Sequence, residues 1–342
     1  MVAATHESRT ELLVVGIVKP AIVDALADRF TLHILDEAAE PERLLHTVGP
    51  RIRAAVVTGA TATLDDTMMA RLPRLEFVAS FGVGYDNIGI RHAVDHGIVV
   101  THTPDVLSEE VADTAIGLLL CTVRELTKAE RFLRDGQWLK GRYPLTAATL
   151  RNRTVGMIGL GRIGRAIARR LDGFAVPVVY HSRRPAPDAP YRYYDRLIDM
   201  ARDVDTLLAI VPGGPLTERM IDAEILAALG PDGIVINMAR GSVMDDEALI
   251  RALRERSILA AGLDVFNNEP NIAAGYLTLD NVTLFPHLGS GTLFTQGQME
   301  QLVVDNILAW ADGRPPLTPV PETPVPETPW QTATGGHPVA ER

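Results

Sequence analysis

Cysteine is almost missing from this chain: Cys121 is the single one in 342 residues. That excludes an internal disulfide and any cysteine-built metal site, and no metal is expected. Cys121 itself sits in a helical apolar pattern and reads as a small core residue. Long apolar runs are missing too. No stretch approaches the ~20 residues needed to cross a bilayer, and the first ten residues are polar, without the apolar centre of a signal peptide. A cytoplasmic protein with no membrane partner is the expectation. Positive charge is in short supply, with Lys+Arg 33 against Asp+Glu 43 and a net charge of -10. A general nucleic-acid or anionic-membrane partner is therefore not expected, and any anionic ligand must meet local positive groups. What is present is an ordinary globular composition, 46% hydrophobic and 22% charged, at a length that allows two domains.

Short apolar runs at 12–18, 31–35, 54–58, 75–80 and 98–102 alternate with helical patterns. Strands separated by helices imply a parallel sheet covered on both faces. The turn 81–87, FGVGYDN, follows one of these strands, so its backbone N–H groups belong to the carboxyl edge of the sheet, where open α/β sheets bind ligands. A plain turn would look the same. Pro104 stops the last strand, and Ser108, Glu109 and Glu110 read as an N-cap with acids in the first turn. Apolar spacing then carries one long helix from Ser108 to about Arg134, a connection between domains.

From Thr154 to Gly164 the chain reads TVGMIGLGRIG, an apolar strand turning through glycines into an amphipathic segment. In that setting Gly159 makes the turn, Gly161 lets the backbone approach a diphosphate, and Gly164 lets the helix pack against the strand. The phosphates would sit on the helix N-terminus beside Arg162 and Ile163. Any chain with 28 glycines offers glycine-rich turns. Here the turn stands between a strand and a helix, which selects a dinucleotide site. Counting residue 155 onward, runs at 176–180, 206–211, 233–238, 259–263 and 282–285 make six strands, the number of a complete doubly wound dinucleotide domain.

An NAD site places an Asp or Glu about 20 residues past the glycines, at the end of the second strand. This chain has Tyr180-His-Ser-Arg-Arg184 there. Arg183 and Arg184 match a 2′-phosphate, with Ser182 as a further hydrogen-bond donor, so NADP is favoured over NAD. Exposed surface arginines would be the structural alternative. Three later strands also end in polar residues: NMARG at 237–241, LDVFNNEP at 263–270 and FPHLGS at 285–290.

The ordered set GLGRIG, NMARG, GLDVFNNEP and PHLGS resembles the D-isomer-specific 2-hydroxyacid dehydrogenases over roughly residues 11 to 320. The resemblance implies two doubly wound α/β domains, a Rossmann dinucleotide-binding domain inserted into a smaller flavodoxin-like substrate domain. The substrate domain would take 1–103 and return as a helix at 288–318; the dinucleotide domain would take 104–287, and a proline-rich tail 319–342. In the family pattern Arg240 holds the substrate's carboxylate and keto oxygen, Glu269 and His287 complete the catalytic set, and Asp264 lies near the nicotinamide. Val83 and Gly84 match the backbone carboxylate-binding loop.

The chemistry agrees with that assignment. A cation such as Arg240 stabilises a developing alkoxide. An imidazole that titrates near neutrality can deliver its proton, and a neighbouring carboxylate orients it and favours its charged form, which suits His287 and Glu269. Among the relatives, the resemblance runs closest to NADP-dependent hydroxypyruvate and glyoxylate reductases, and it implies a homodimer paired through the 108–134 region with Trp138 reaching toward the neighbour or packing in the interface. The stretch ASFG at 79–82 supplies no cation for a second anionic group, which favours a small substrate, and Phe81 and Leu288 narrow the pocket. Departures from the family pattern stand at Asp113, Gly291 and Gln296, the last where an arginine is expected. The rival reading is a dinucleotide-sensing, corepressor-like binding protein. Beyond Gly313 the proline-rich composition, with its repeated VPETP, predicts an extended or disordered tail.

Overall fold

The computed structural model describes residues 9–59, 62–323 and 325. They form two compact units: the described residues up to Val106 together with those from Leu293 on, and Leu107–Thr292.

The first unit is built on β1 (Thr10–Gly16), β2 (Phe30–Ile34), β3 (Ile52–Thr58), β4 (Phe77–Phe81) and β5 (Val99–Thr101). All pair in parallel, in the order β2-β1-β3-β4-β5, the flavodoxin-like winding. Helices cover both faces, so β1 and β3 are buried on both sides and read as nearly unbroken apolar runs. On one face Leu13, Val15, Val57 and Val78 pack under the helix Pro41–Val48. On the other, Leu12, Val56, Phe77 and Ala79 meet the helices Pro20–Ala27 and Leu293–Ala311. The helix Leu293–Ala311 follows the second unit in the chain yet supplies the largest buried side chain here, Trp310, stacked on Phe77 at 5.8 Å and 20°.

Contrary to the expectation from composition, the first residues of the tail are held against β5. Pro319 bridges to Thr101 antiparallel, the Val320 N–H donates to the Val100 carbonyl at 2.9 Å, and the Val100 N–H donates to the Thr323 hydroxyl at 3.1 Å. Val320 is buried. This segment needs no core of its own because it borrows the unpaired N–H and C=O groups of an edge strand. The remainder of the proline-rich tail, 324 and 326–342, lies outside the described residues, and with it the expectation of an extended tail.

The second unit carries β6 (Val155–Ile158), β7 (Val178–His181), β8 (Arg192–Tyr194), β9 (Thr206–Ala209), β10 (Ile234–Asn237), β11 (Ala260–Leu263) and β12 (Val282–Leu284). They lie in the order β12-β11-β10-β9-β6-β7-β8 and all pair in parallel, the dinucleotide-fold winding with one strand added beyond the sixth. The expected six strands become seven. β8 escapes a hydrophobicity reading because it is three residues long, begins with Arg192 and pairs on one side only.

The single helix expected over 108–134 is two. Ser108–Val123 is buried along Val111, Ala115, Leu118 and Leu119 against the helix Arg162–Gly173 and β11, so it is core of the second unit rather than a connection. Glu125 then takes a left-handed φ of 50°, and Leu126–Arg134 follows with no buried residue. Glu125 accepts a hydrogen bond from the Tyr143 hydroxyl at 2.8 Å, which holds the break. Nor is Ser108 the cap: Leu107 occupies that position without a side-chain bond, while Glu109 and Glu110 do fill the first turn. Among the described residues no helix is long and apolar enough to cross a membrane.

Replacing Trp310 with Ala should cost about 3–5 kcal/mol by urea unfolding, through lost burial and an open cavity. Trp310→Phe should cost less than about half as much, because it keeps the stack and deletes a buried indole N–H that has no hydrogen-bond partner.

Candidate active site

β6 ends at Ile158, and Gly159 reverses the chain at φ 98°. The helix Arg162–Gly173 begins hard against that turn: a Cβ on Gly164 would stand 2.5 Å from the Gly159 carbonyl oxygen. Gly161, at the N-cap position, is different. A Cβ there would meet no protein atom within 4 Å, so intrachain packing does not explain the glycine. The first-turn N–H groups of a helix lack intrahelical acceptors. Arg162 and Ile163 contribute such groups, and a diphosphate fits them.

At the end of β7 the exposed Arg183 and Arg184 sit on a turn that the fold holds from three sides. The buried Tyr180 hydroxyl accepts the Ala186 N–H at 2.9 Å, Tyr193 of β8 donates to the Ser182 carbonyl at 3.2 Å, and the Ser182 hydroxyl donates to the Arg184 carbonyl at 2.6 Å. That last bond ties the Ser182 hydroxyl to the main chain of the turn that carries the arginines. Residues 181–187 contain no carboxylate, so nothing in the turn repels a 2′-phosphate.

The ends of β10, β11 and β12 carry the remaining polar groups. Asn237, fully buried, accepts the Ala239 N–H at 3.0 Å and donates to the Arg240 carbonyl at 2.9 Å, which fixes the backbone from which Arg240 projects. Arg240 donates from Nη1 to the Ala239 carbonyl at 2.8 Å. Past β11, the buried Asp264 takes the Leu288 N–H at 2.8 Å and the Gly289 N–H at 2.9 Å, one on each oxygen. Burial pushes its carboxyl above the ordinary range, against the pull of those two N–H bonds. Its main-chain carbonyl accepts the His287 N–H at 2.8 Å. Asp264 therefore anchors the 287–289 turn.

Glu269 and His287, 18 residues apart in sequence, meet at 2.7 Å between Oε2 and Nδ1. An ionised carboxylate can only accept, so Nδ1 donates and Nε2 is the ring nitrogen turned away from Glu269. The second Glu269 oxygen accepts the Phe266 N–H at 2.8 Å. Burial raises the Glu269 pKa, but the hydrogen bonds from His287 and Phe266, with the charges of His287 and Arg240, outweigh it and hold the group below its ordinary 4.5. Arg240, Asp264, Glu269 and His287 thus form one connected arrangement in the second unit. No group of three or more His, Cys, Asp or Glu that could hold a metal occurs among the described residues.

Val83 and Gly84 lie in the first unit, just past the end of β4. Residues 79–82 carry no cation of their own, yet one arrives from another element. The Lys19 ammonium, ahead of the helix Pro20–Ala27, stands 4.5 Å from the Phe81 ring centre. It donates to Gln296 Oε1 at 2.6 Å and pairs with Glu300 at 3.5 Å, so its charge is already compensated. Gln296, where an arginine is expected, is thereby a hydrogen-bond partner of Lys19. Tyr180, Asn237 and Lys19 were not legible as site-building residues; their only sequence signal is a polar group beside a strand end or helix start.

Residues 116–289 match the NAD-binding domain of the D-isomer specific 2-hydroxyacid dehydrogenases. The chain is 43% identical over 295 residues to glyoxylate/hydroxypyruvate reductase A of Arabidopsis thaliana, covering 86% of this chain and 94% of that one. It is 42% identical to a hydroxyphenylpyruvate reductase of Plectranthus scutellarioides, covering 78% and 85%. Among solved structures it is similar to an NADPH-dependent glyoxylate/hydroxypyruvate reductase of Sinorhizobium meliloti in complex with NADP and malonate, with 46% identity, a TM-score of 0.88 and coverage of 93% and 98%.

The depressed Glu269 pKa has a stability signature. Its contribution is present above the ordinary carboxylate value and is lost as pH falls through the lower folded value. Urea midpoints measured from about pH 7 to 3 should therefore show Glu269→Gln less stable than the wild type near neutrality, with the gap closing in acid. A gap independent of pH would contradict an ionised Glu269 held by these hydrogen bonds.

Proposed function

Because the chain belongs to the D-isomer-specific 2-hydroxyacid dehydrogenase family, we propose that it reduces glyoxylate or hydroxypyruvate to the D-2-hydroxy acid with NADPH. The observation that carries this reading is the Glu269–His287 hydrogen bond at 2.7 Å beside Arg240. When bound, a reduced nicotinamide supplies a hydride to C2 of the 2-oxo acid. His287 delivers a proton from Nε2 to the C2 oxygen and ends neutral, with Glu269 holding the ring in place. Arg240 pairs with the keto oxygen and the carboxylate, and its charge is worth most when the oxygen becomes an alkoxide. Val83 and Gly84 take the carboxylate through backbone N–H groups. Gly159, Gly161, Arg162, Ile163 and Gly164 hold the diphosphate, Arg183 and Arg184 the 2′-phosphate, and NAD serves less well. Asp264 supports the cofactor end through the 287–289 turn.

The substrate is small and carries one anionic group: residues 79–82 bring no cation, and Lys19, beside Phe81, is already paired with Glu300. The Plectranthus relative makes an aromatic 2-oxo acid the relevant competitor. We further propose a homodimer working in the cytoplasm. The helix Leu126–Arg134 buries nothing, and Leu133, Trp138, Leu139 and Leu145 around it are 54, 65, 95 and 99% exposed, an apolar surface that a second copy would cover, with Trp138 in that interface.

The decisive measurement is kcat/KM with NADPH for glyoxylate, hydroxypyruvate, phenylpyruvate and 3-phosphohydroxypyruvate. The first two should lead, and NADPH should exceed NADH; turnover of none would favour the dinucleotide-sensing alternative. His287→Asn should lower kcat by about 10²–10⁴ with NADPH binding retained. A monomeric mass at micromolar concentration would exclude the dimer.

A further inference from the structure

Two successive peptide groups in the loop past β4 are pinned from the same side. The Thr103 N–H donates to the Gly82 carbonyl at 2.8 Å, and the Thr103 hydroxyl accepts the Gly82 N–H at 3.0 Å. One residue on, the Val83 carbonyl accepts from His102 Nδ1 at 2.9 Å. In a trans peptide the C=O and the following N–H point in opposite directions. Tying the Gly82 and Val83 carbonyls toward 102 and 103 therefore aims the N–H groups of Val83 and Gly84 the other way, side by side.

His102 is itself immobilised. Its N–H donates to the Thr318 carbonyl at 3.1 Å, and its carbonyl accepts the Thr318 hydroxyl at 2.6 Å. Thr318 is held in turn by Asn306, almost fully buried, which donates to its hydroxyl at 2.9 Å and accepts its N–H at 3.2 Å. The Tyr85 ring meets the His102 ring edge-on at 5.4 Å and 87°, and the Tyr85 hydroxyl donates to Glu322 at 3.0 Å. The segment 317–323, which composition assigned to the tail, is thus a strap behind the loop.

We propose that His102 is a positioning residue for the substrate carboxylate: its Nδ1–H fixes the peptide plane that presents the Gly84 N–H, with Thr103 doing the same for Val83. This rests on the reading that the Val83 and Gly84 amides bind the carboxylate. A pre-aimed pair of donors loses no orientational freedom when an anion docks, so the clamp acts on substrate binding and leaves proton and hydride transfer alone.

The test compares His102→Leu, which deletes the donor, with His102→Asn, whose side-chain amide offers N–H close to where Nδ1 stands. His102→Leu should raise KM for glyoxylate about 3- to 10-fold, the worth of one hydrogen bond, with kcat within about twofold and NADPH affinity unchanged, and exchange of the Gly82 and Thr103 amides, which are bonded in the clamp, should quicken. His102→Asn should restore both readouts. An unchanged KM, an equal rise in both variants, or a loss confined to kcat overturns the proposal. Quicker exchange with unchanged KM would show instead that the clamp exists but Val83 and Gly84 do not bind the carboxylate. Unchanged exchange overturns the clamp itself, whatever substrate the enzyme turns over.

Discussion

Every strand of the second sheet runs in the same direction, and this constraint decides where chemistry can occur. Parallel strands need crossover helices, which bury both faces of the sheet. Polar side chains are left with the loops that leave the carboxyl ends, all along one edge. β6 delivers the glycine turn there, β7 the arginine pair, β10 Arg240, β11 Asp264 and Glu269, and β12 His287. Residues as distant in sequence as Gly159 and His287 become parts of one arrangement because neither has anywhere else to go.

At that edge, and again within the first unit, a recurring device converts loops into fixed geometry. A polar side chain at a strand end, buried by the fold, satisfies itself on the backbone of a loop. Asn237 does so for Ala239 and Arg240, Asp264 for Leu288 and Gly289, and Thr103 for Gly82. Leaving any of these groups unpaired costs about 1–3 kcal/mol, so each bond is either made or expensive to lose. The Glu269–His287 pair rests on such support, since His287 also donates its N–H to the Asp264 carbonyl. Asp264 accordingly keeps its buried carboxylate for structure as much as for a ligand.

Charge works locally in this molecule. The net charge of -10 would repel an anionic dinucleotide and an anionic substrate alike. Arg183 and Arg184 stand on a turn without carboxylates, and Arg240 lies near the Glu269 carboxylate that His287 shares. Lys19 shows the converse. It is a cation beside Phe81 whose charge Glu300 already compensates. Within a Debye length of about 8 Å such near neighbours outweigh the total.

Much of the architecture is local and could be read without coordinates. Apolar runs alternating with helical periods define two parallel sheets, because each strand's burial on both faces is written in its own residues. The glycines of the turn after β6 are as legible, since φ 98° at Gly159 and the close approach at Gly164 admit no side chain. Polar strand ends likewise marked Arg240, Glu269 and His287. Features that depend on partners remote in sequence were not readable. β8 is a strand only because β7 offers it an edge, the helix break at Glu125 depends on Tyr143, and the turn after β7 is fixed by bonds from Tyr180 and Tyr193. The segment 317–323 looks like a solvated tail by composition and becomes part of the sheet because β5 has unpaired backbone beside it. Residue type and spacing determined which groups could act; only the tertiary structure decided which of them are committed to holding the fold, because a hydrogen bond between distant segments has no period in the sequence.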